Sequence, residues 1–144
     1  MHVRITRLDP AATLPAQQHD DDAGYDLRAI ESIRLESGGG RALVRTGLAV
    51  AIPGGYAGFV LPRSGLALKH GIAVVNAPGL IDSQYRGEVK VLLLNTDPAA
   101  AYEVQPGDRI AQLVIQKVEY VEWAEVASLD ETQRDTFGFG STGR

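Results

Sequence analysis

The sequence contains no cysteine. That removes disulfide bracing, thiolate metal ligands and a thiol nucleophile together. Histidine is scarce: His2, His19 and His70 are the only three, and none is spaced as a metal-binding pair, so a zinc site has little to rest on. No apolar run comes near the ~20 residues of a membrane-spanning helix. Met1, His2, Val3, Arg4 and Ile5 do not make the apolar core of a secretion signal. The expected location is the cytoplasm, with no membrane partner. Excess positive charge is missing as well: 14 Lys and Arg stand against 18 Asp and Glu, for a formal charge of -4. General nucleic-acid binding needs a basic surface and is not expected. One anionic small molecule held by a few local arginines remains compatible with that balance. No Gly-Lys-Ser/Thr phosphate loop occurs.

What is present is a chain of 144 residues, 44% hydrophobic and 22% charged, enough for one domain with one core. Short apolar segments alternate with Gly- and Pro-containing turns, which points to an all-β barrel or sandwich. Val3, Ile5 and Arg7 read as a first strand, and residues 22–29 as a half-buried strand in which Tyr25 and Leu27 share a face. Residues 41–52, 56–61, 88–95 and 109–118 read as further strands, the third of these central. Val121 and Trp123 would extend the last one. The only helix of note falls in residues 63–71, with Ser64 as cap and Gly71 as stop. Residues 9–22 read as a loop, whose Asp20-Asp21-Asp22 run suits a solvated surface better than a metal site.

Three stretches could carry chemistry. Residues 76–88 pack Asn76, Asp82, Tyr85, Arg86 and Glu88 between Pro78, Gly79 and Gly87. The turn residues predict a tight hairpin, a stiff place to hold polar groups; an ordinary surface turn has the same composition. Arg63-Ser64-Gly65 would converge a guanidinium, a hydroxyl and free N–H groups on an anion; it equally describes a helix cap beside a solvated arginine. Gly138-Phe139-Gly140-Ser141-Thr142-Gly143 fits a dinucleotide fingerprint by letter, but no βαβ unit surrounds it. Small residues there would still let backbone N–H groups approach phosphate oxygens, and a solvated tail fits as well.

Taken in order, five segments resemble the motifs of the trimeric dUTPases, the deoxyuridine triphosphate nucleotidohydrolases. They are residues 23–29, 62–65, 76–88, 107–113 and 134–143, spanning nearly the whole chain. Two departures stand in the last: Asp135 follows Arg134 where the family has Gly, and Phe137 replaces the first Gly of a pair. In the third, Gln84 replaces a frequent Asp.

The resemblance implies an all-β, jelly-roll-like barrel over residues 1–133, with a flexible arm over residues 134–144 that closes on the active site. It implies a homotrimer with shared sites and Mg2+ as cofactor. The reaction would turn dUTP into dUMP and diphosphate, limiting uracil in DNA and supplying dUMP for thymidylate. Asp82 would be the general base for water attack on the α-phosphorus, and Asp26 would hold Mg2+ through a water. Arg63, Ser64, Gly65 and Gln112 would grip the phosphates, and Arg134 the γ-phosphate. Asn76, Leu80 and Ile81 would read uracil. Tyr85 would exclude a 2′-hydroxyl, Lys90 would line the same pocket, and Phe139 would stack on the base beside Gly140, Ser141 and Thr142. The nearest rival by resemblance is a dCTP deaminase of related fold, which would release ammonia.

Overall fold

The computed structural model describes residues 1–132. The expected arm, with Arg134, Phe139, Gly140, Ser141 and Thr142, lies outside the described residues. In chain order the elements are β1 (Arg4–Arg7), β2 (Tyr25–Arg28), β3 (Ile33–Leu35), β4 (Arg41–Ala51), β5 (Tyr56–Leu61) and α1 (Ser64–His70). They continue with β6 (Ile72–Val74), β7 (Gly79–Ile81), β8 (Glu88–Asn95), β9 (Tyr102–Val104) and β10 (Arg109–Lys117). There are two four-stranded sheets, β1-β4-β8-β6 and β2-β10-β5-β7, and a separate small pair, β3-β9. Every pairing is antiparallel. The all-β, jelly-roll-like reading holds, with one short helix; the described strands form separate sheets, not a closed ring.

Period-two alternation explains why the sheets face each other. In β8, Val89, Val91, Leu93 and Asn95 point inward while their neighbours are more exposed. Val44, Leu48 and Val50 of β4 meet Leu27, Val60, Ile81 and Leu113 from the other sheet in one core. Fully burying such a side chain is worth about 1.5–3 kcal/mol. Asn95 is buried yet satisfied: its amide donates to the carbonyls of Leu35 (3.2 Å) and Ala100 (2.8 Å), and its oxygen accepts from the Asp97 N–H (3.0 Å). In β10 the consecutive residues Ile110 and Ala111 are both buried, because a register shift between Arg109 and Ala111 bends the strand there.

Four expectations need correction. Residues 76–88 are not a hairpin: β7 pairs with β5 in one sheet, and β8 pairs with β4 and β6 in the other. Both strands turn apolar residues to the same core from opposite layers, so alternation alone could not tell partner from neighbour. The helix begins at Ser64 with Arg63 in the cap position, and no side chain makes a cap bond. Gly71 does stop it, in the left-handed region at φ 63°. Val121 and Trp123 do not prolong β10. That strand ends at Lys117, Trp123 is 90% exposed, and residues 118–132 form neither helix nor strand. Tyr25 does not share the buried position of Leu27; it is exposed.

Candidate active site

The residues of interest gather in two clefts. The first, of about 380 Å³, is lined by Leu80, Ile81, Asp82, Tyr85, Glu88 and Lys90 among others. It forms where the chain leaves β7, crosses between the sheets and enters β8. The crossing is stiffened locally. The Tyr85 N–H donates to the Asp82 carbonyl at 3.0 Å. The Arg86 guanidinium donates to the carbonyls of Ser83 and Tyr85, each at 2.7 Å. The Tyr85 hydroxyl donates to the Glu88 carbonyl at 3.0 Å. The ring lies so close over Gly87 that a Cβ there would strike it. Asp82 itself is exposed, and among the described residues no group binds its carboxylate. It is therefore open to water. Leu80 is exposed and Ile81 buried, so the cleft has an apolar wall with backbone groups along it. Asn76 is exposed, folds over Gly79 and is not among the lining groups.

The second cleft, of about 400 Å³, includes Gly24, Asp26, Arg63, Ser64, Gly65 and Gln112 in its walls. Three strands and the entry to α1 converge on it. Asp26, with only 11% of its side chain exposed, pairs with Arg63 Nε at 3.2 Å and Arg109 at 3.1 Å. Arg63 also donates to the Arg109 carbonyl at 2.8 Å. Gln112 lies between Asp26 and Leu61 in register and donates to the Pro62 carbonyl at 3.0 Å. Gly24 leaves the space that the Gln112 amide fills. Ser64 and Gly65 open the helix, where backbone N–H groups lack intrahelical acceptors. Guanidinium, hydroxyl, amide and backbone donors thus face one polar hollow.

One chain does not bring the two clefts together. Ile81 registers with Gly58 on β5, whereas Arg63 lies beyond the far end of that strand. Five residues at about 3.3 Å each separate them by roughly 16 Å.

Two residues inside the motif segments were given no role in the sequence reading, and the structure ties both down. Glu88 accepts from Arg45 Nε at 3.2 Å and from the Gly47 N–H at 2.9 Å, with Lys90 Nζ 3.8 Å away. Its hydrogen bond raises the Arg45 guanidinium further above its ordinary value. Arg109 completes the Asp26 cluster. Glu88 stood out in the sequence only as one polar member of the stretch 76–88; Arg45, over forty residues away, had no signal.

No cluster of three or more His, Cys, Asp or Glu side chains among the described residues could cage a metal. Asp26 is a lone carboxylate already shared by two guanidiniums. One carboxylate fits a Mg2+ ion that keeps most of its waters.

A β-sandwich with an open carboxylate in one hollow and converging hydrogen-bond donors in another suits an enzyme that hydrolyses a phosphoanhydride. The comparisons with known proteins are specific. The family model described as dUTPase matches residues 11–143. A deoxyuridine 5'-triphosphate nucleotidohydrolase of Thermobifida fusca is 56% identical over 143 residues, covering 99% of this chain and 79% of the relative. The protein of the same name from Mycobacterium tuberculosis is 56% identical over 144 residues, covering 96% and 93%. Among solved structures, the dUTPase of Staphylococcus bacteriophage 80alpha with dUpNHpp superposes with a TM-score of 0.91 at 28% identity, covering 99% of both chains. A mutant dUTPase from phage phi11 of S. aureus, described with a structural Mg(II) ion, gives 0.82 at 27% identity, covering 89% and 98%. The chain belongs to the dUTPase family.

Proposed function

We propose that this chain hydrolyses dUTP to dUMP and diphosphate, with Asp82 as the general base for water attack on the α-phosphorus. The observation that carries this is the open Asp82 carboxylate in a cleft with an apolar wall. A carboxylate free of protein donors can accept a hydrogen bond from water and take its proton, typically worth ~10²–10⁴-fold. The remaining acceleration comes from positioning and charge neutralisation. Arg63, Ser64, Gly65 and Gln112 supply that neutralisation at the phosphates. Asn76 and the backbone at Leu80 and Ile81 read the uracil edge. The Tyr85 ring packs against the sugar where a 2′-hydroxyl would stand, and Lys90 lines the same wall.

Mg2+, when bound, would neutralise phosphate charge, and Asp26 would hold it through a water. Arg63 and Arg109 hold the Asp26 carboxylate in place for that role.

The roughly 16 Å between the clefts supports a site assembled from two copies, one lending Asp82 and Tyr85 and the other the phosphate donors. A homotrimer with three shared sites satisfies this geometry. The arm of residues 134–144 would close over it, with Arg134 on the γ-phosphate, Phe139 on the base, and Gly140, Ser141 and Thr142 along the chain of phosphates. The likeness to a phage dUTPase solved with dUpNHpp supports the choice of substrate. In a cytoplasmic setting the reaction would keep uracil out of DNA and supply dUMP.

The direct test is pyrophosphate release from dUTP, UTP, dTTP and dCTP in parallel. Release from dUTP far above the other three is expected. Ammonia from dCTP without pyrophosphate would overturn the reading in favour of a deaminase.

A further inference from the structure

Strand β4 carries an irregularity that the phosphate and base chemistry does not use. Its register against β8 shifts between Arg45 and Leu48. Gly47 sits in the bulge at φ 67°, and a Cβ there would press on Ala12, Asp9 and Ile30. The Gly47 N–H therefore points away from the regular ladder and needs an acceptor. Glu88 provides it, at 2.9 Å. The same carboxylate receives Arg45 Nε at 3.2 Å from each oxygen, and only 12% of its side chain is exposed. Arg45 is itself tied down: its N–H donates to Glu31 at 2.8 Å and its carbonyl accepts from Ile30 at 3.1 Å. The Glu88 side chain is thus pinned to the core sheet.

The carbonyl of the same residue, which lines the first cleft, accepts the Tyr85 hydroxyl. Gly87 beneath the ring leaves no slack on that side. Bulge, carboxylate, carbonyl and ring form one continuous linkage.

We propose that Glu88 is the positioning residue for sugar selection: the β4 bulge and Arg45 fix its carboxylate, and its carbonyl sets where the Tyr85 ring stands. This rests on the dUTP-hydrolysis reading for its substrate, but not for its mechanics. A ring held to a fraction of an ångström can exclude one hydroxyl; a ring free to swing cannot. Lys90, 3.8 Å from the same carboxylate, is held against the cleft wall by the same group.

The test compares wild type, E88A, E88Q, Y85F and the double variant E88A/Y85F. E88Q removes the charge pair with Arg45 but keeps an acceptor for Gly47, so it guards against a misfolded E88A. The kcat/KM ratio of UTP to dUTP should rise roughly tenfold in E88A and less in E88Q, since displacing a steric group of this size relaxes selection on that scale. The double variant should do no more than the stronger single one, because both act through the same hydroxyl–carbonyl bond. Equal losses on UTP and dUTP, or additive effects, would overturn the proposal and leave Glu88 a structural staple. A crystal structure of E88Q decides the mechanics independently of activity. A Tyr85 ring shifted off the Glu88 carbonyl supports the linkage, and an unmoved ring refutes it. A wild type that fails to hydrolyse dUTP would defeat the substrate reading, while the ring position would still decide the role of Glu88.

Discussion

The two clefts are built in opposite ways. The first comes from a contiguous run, residues 80–90, whose members brace one another through short-range bonds such as Tyr85 to Glu88 and Arg86 to Ser83. The second is assembled from β2, the end of β5, the start of α1 and β10, and is held by long-range ion pairs from Asp26 to Arg63 and Arg109. Local bracing suits a site that must hold a carboxylate and a ring at fixed angles. Long-range pairing suits a site that must concentrate positive charge, because one carboxylate between two guanidiniums keeps them together without neutralising both. On the proposed reading the first cleft would hold the reacting groups and the second would meet the phosphate charge, which yields distinct expectations for each.

The sharpest break falls in the first cleft. Asp82→Asn keeps shape and hydrogen-bonding capacity but loses basicity, so kcat should fall at least ~10²-fold while dUTP affinity stays near normal. Steady-state kinetics beside calorimetric binding reads both, and a variant retaining more than about a tenth of kcat would remove Asp82 from the base role.

Next comes the relation between the clefts. Arg63→Ala should be nearly inactive alone. Mixed with Asp82→Asn chains in equal amounts, unfolded and reassembled, it should recover activity, since random trimers place an intact pair in roughly one site in four. Mixed trimers with no recovery would put both groups in one chain's site. Active protein sedimenting as a 15.4 kDa monomer would sink the shared site outright.

A smaller effect tests the ring. Tyr85→Ala should raise UTP relative to dUTP in kcat/KM by about tenfold, as expected for losing a steric block; an unchanged ratio would deny the ring that task. In the second cleft, Asp26→Asn should lower stability as well as Mg2+-supported activity. Its partners are partly exposed, so the loss should be about 1–2 kcal/mol, a melting temperature lower by a few degrees. Unchanged melting would mean that the arginines are held by other contacts.

The smallest effect lies outside both clefts. The N–H groups of Ala100 and Ala99 hold the Asp97 carboxyl below its ordinary value. A depressed carboxylate stabilises the fold above its unfolded value and loses that contribution as pH falls through the folded one. The melting difference between wild type and Asp97→Ala should therefore be small at neutral pH and vanish on acidification. A difference that grew on acidification would contradict the assignment.

Local patterns in the sequence were enough for the long strands, many of the turns and one short helix, while the resemblance to a known family picked out most polar groups in both clefts. The first set follows from local rules: period-two alternation in residues 88–95, glycine at a helix stop, and turn residues between apolar runs. The sequence could not determine partners. Residues 76–88 look like a hairpin because both flanks alternate, yet β7 and β8 belong to opposite sheets, and only packing around a shared core makes that choice. Trp123 reads as core by type but is left in the open, because residues 118–132 run past the last strand. Tertiary structure alone decided that Arg109 shares Asp26 with Arg63 and that Arg45 holds Glu88. Those contacts join residues 43 to 83 positions apart, and no pattern along the chain encodes a distance that only folding closes.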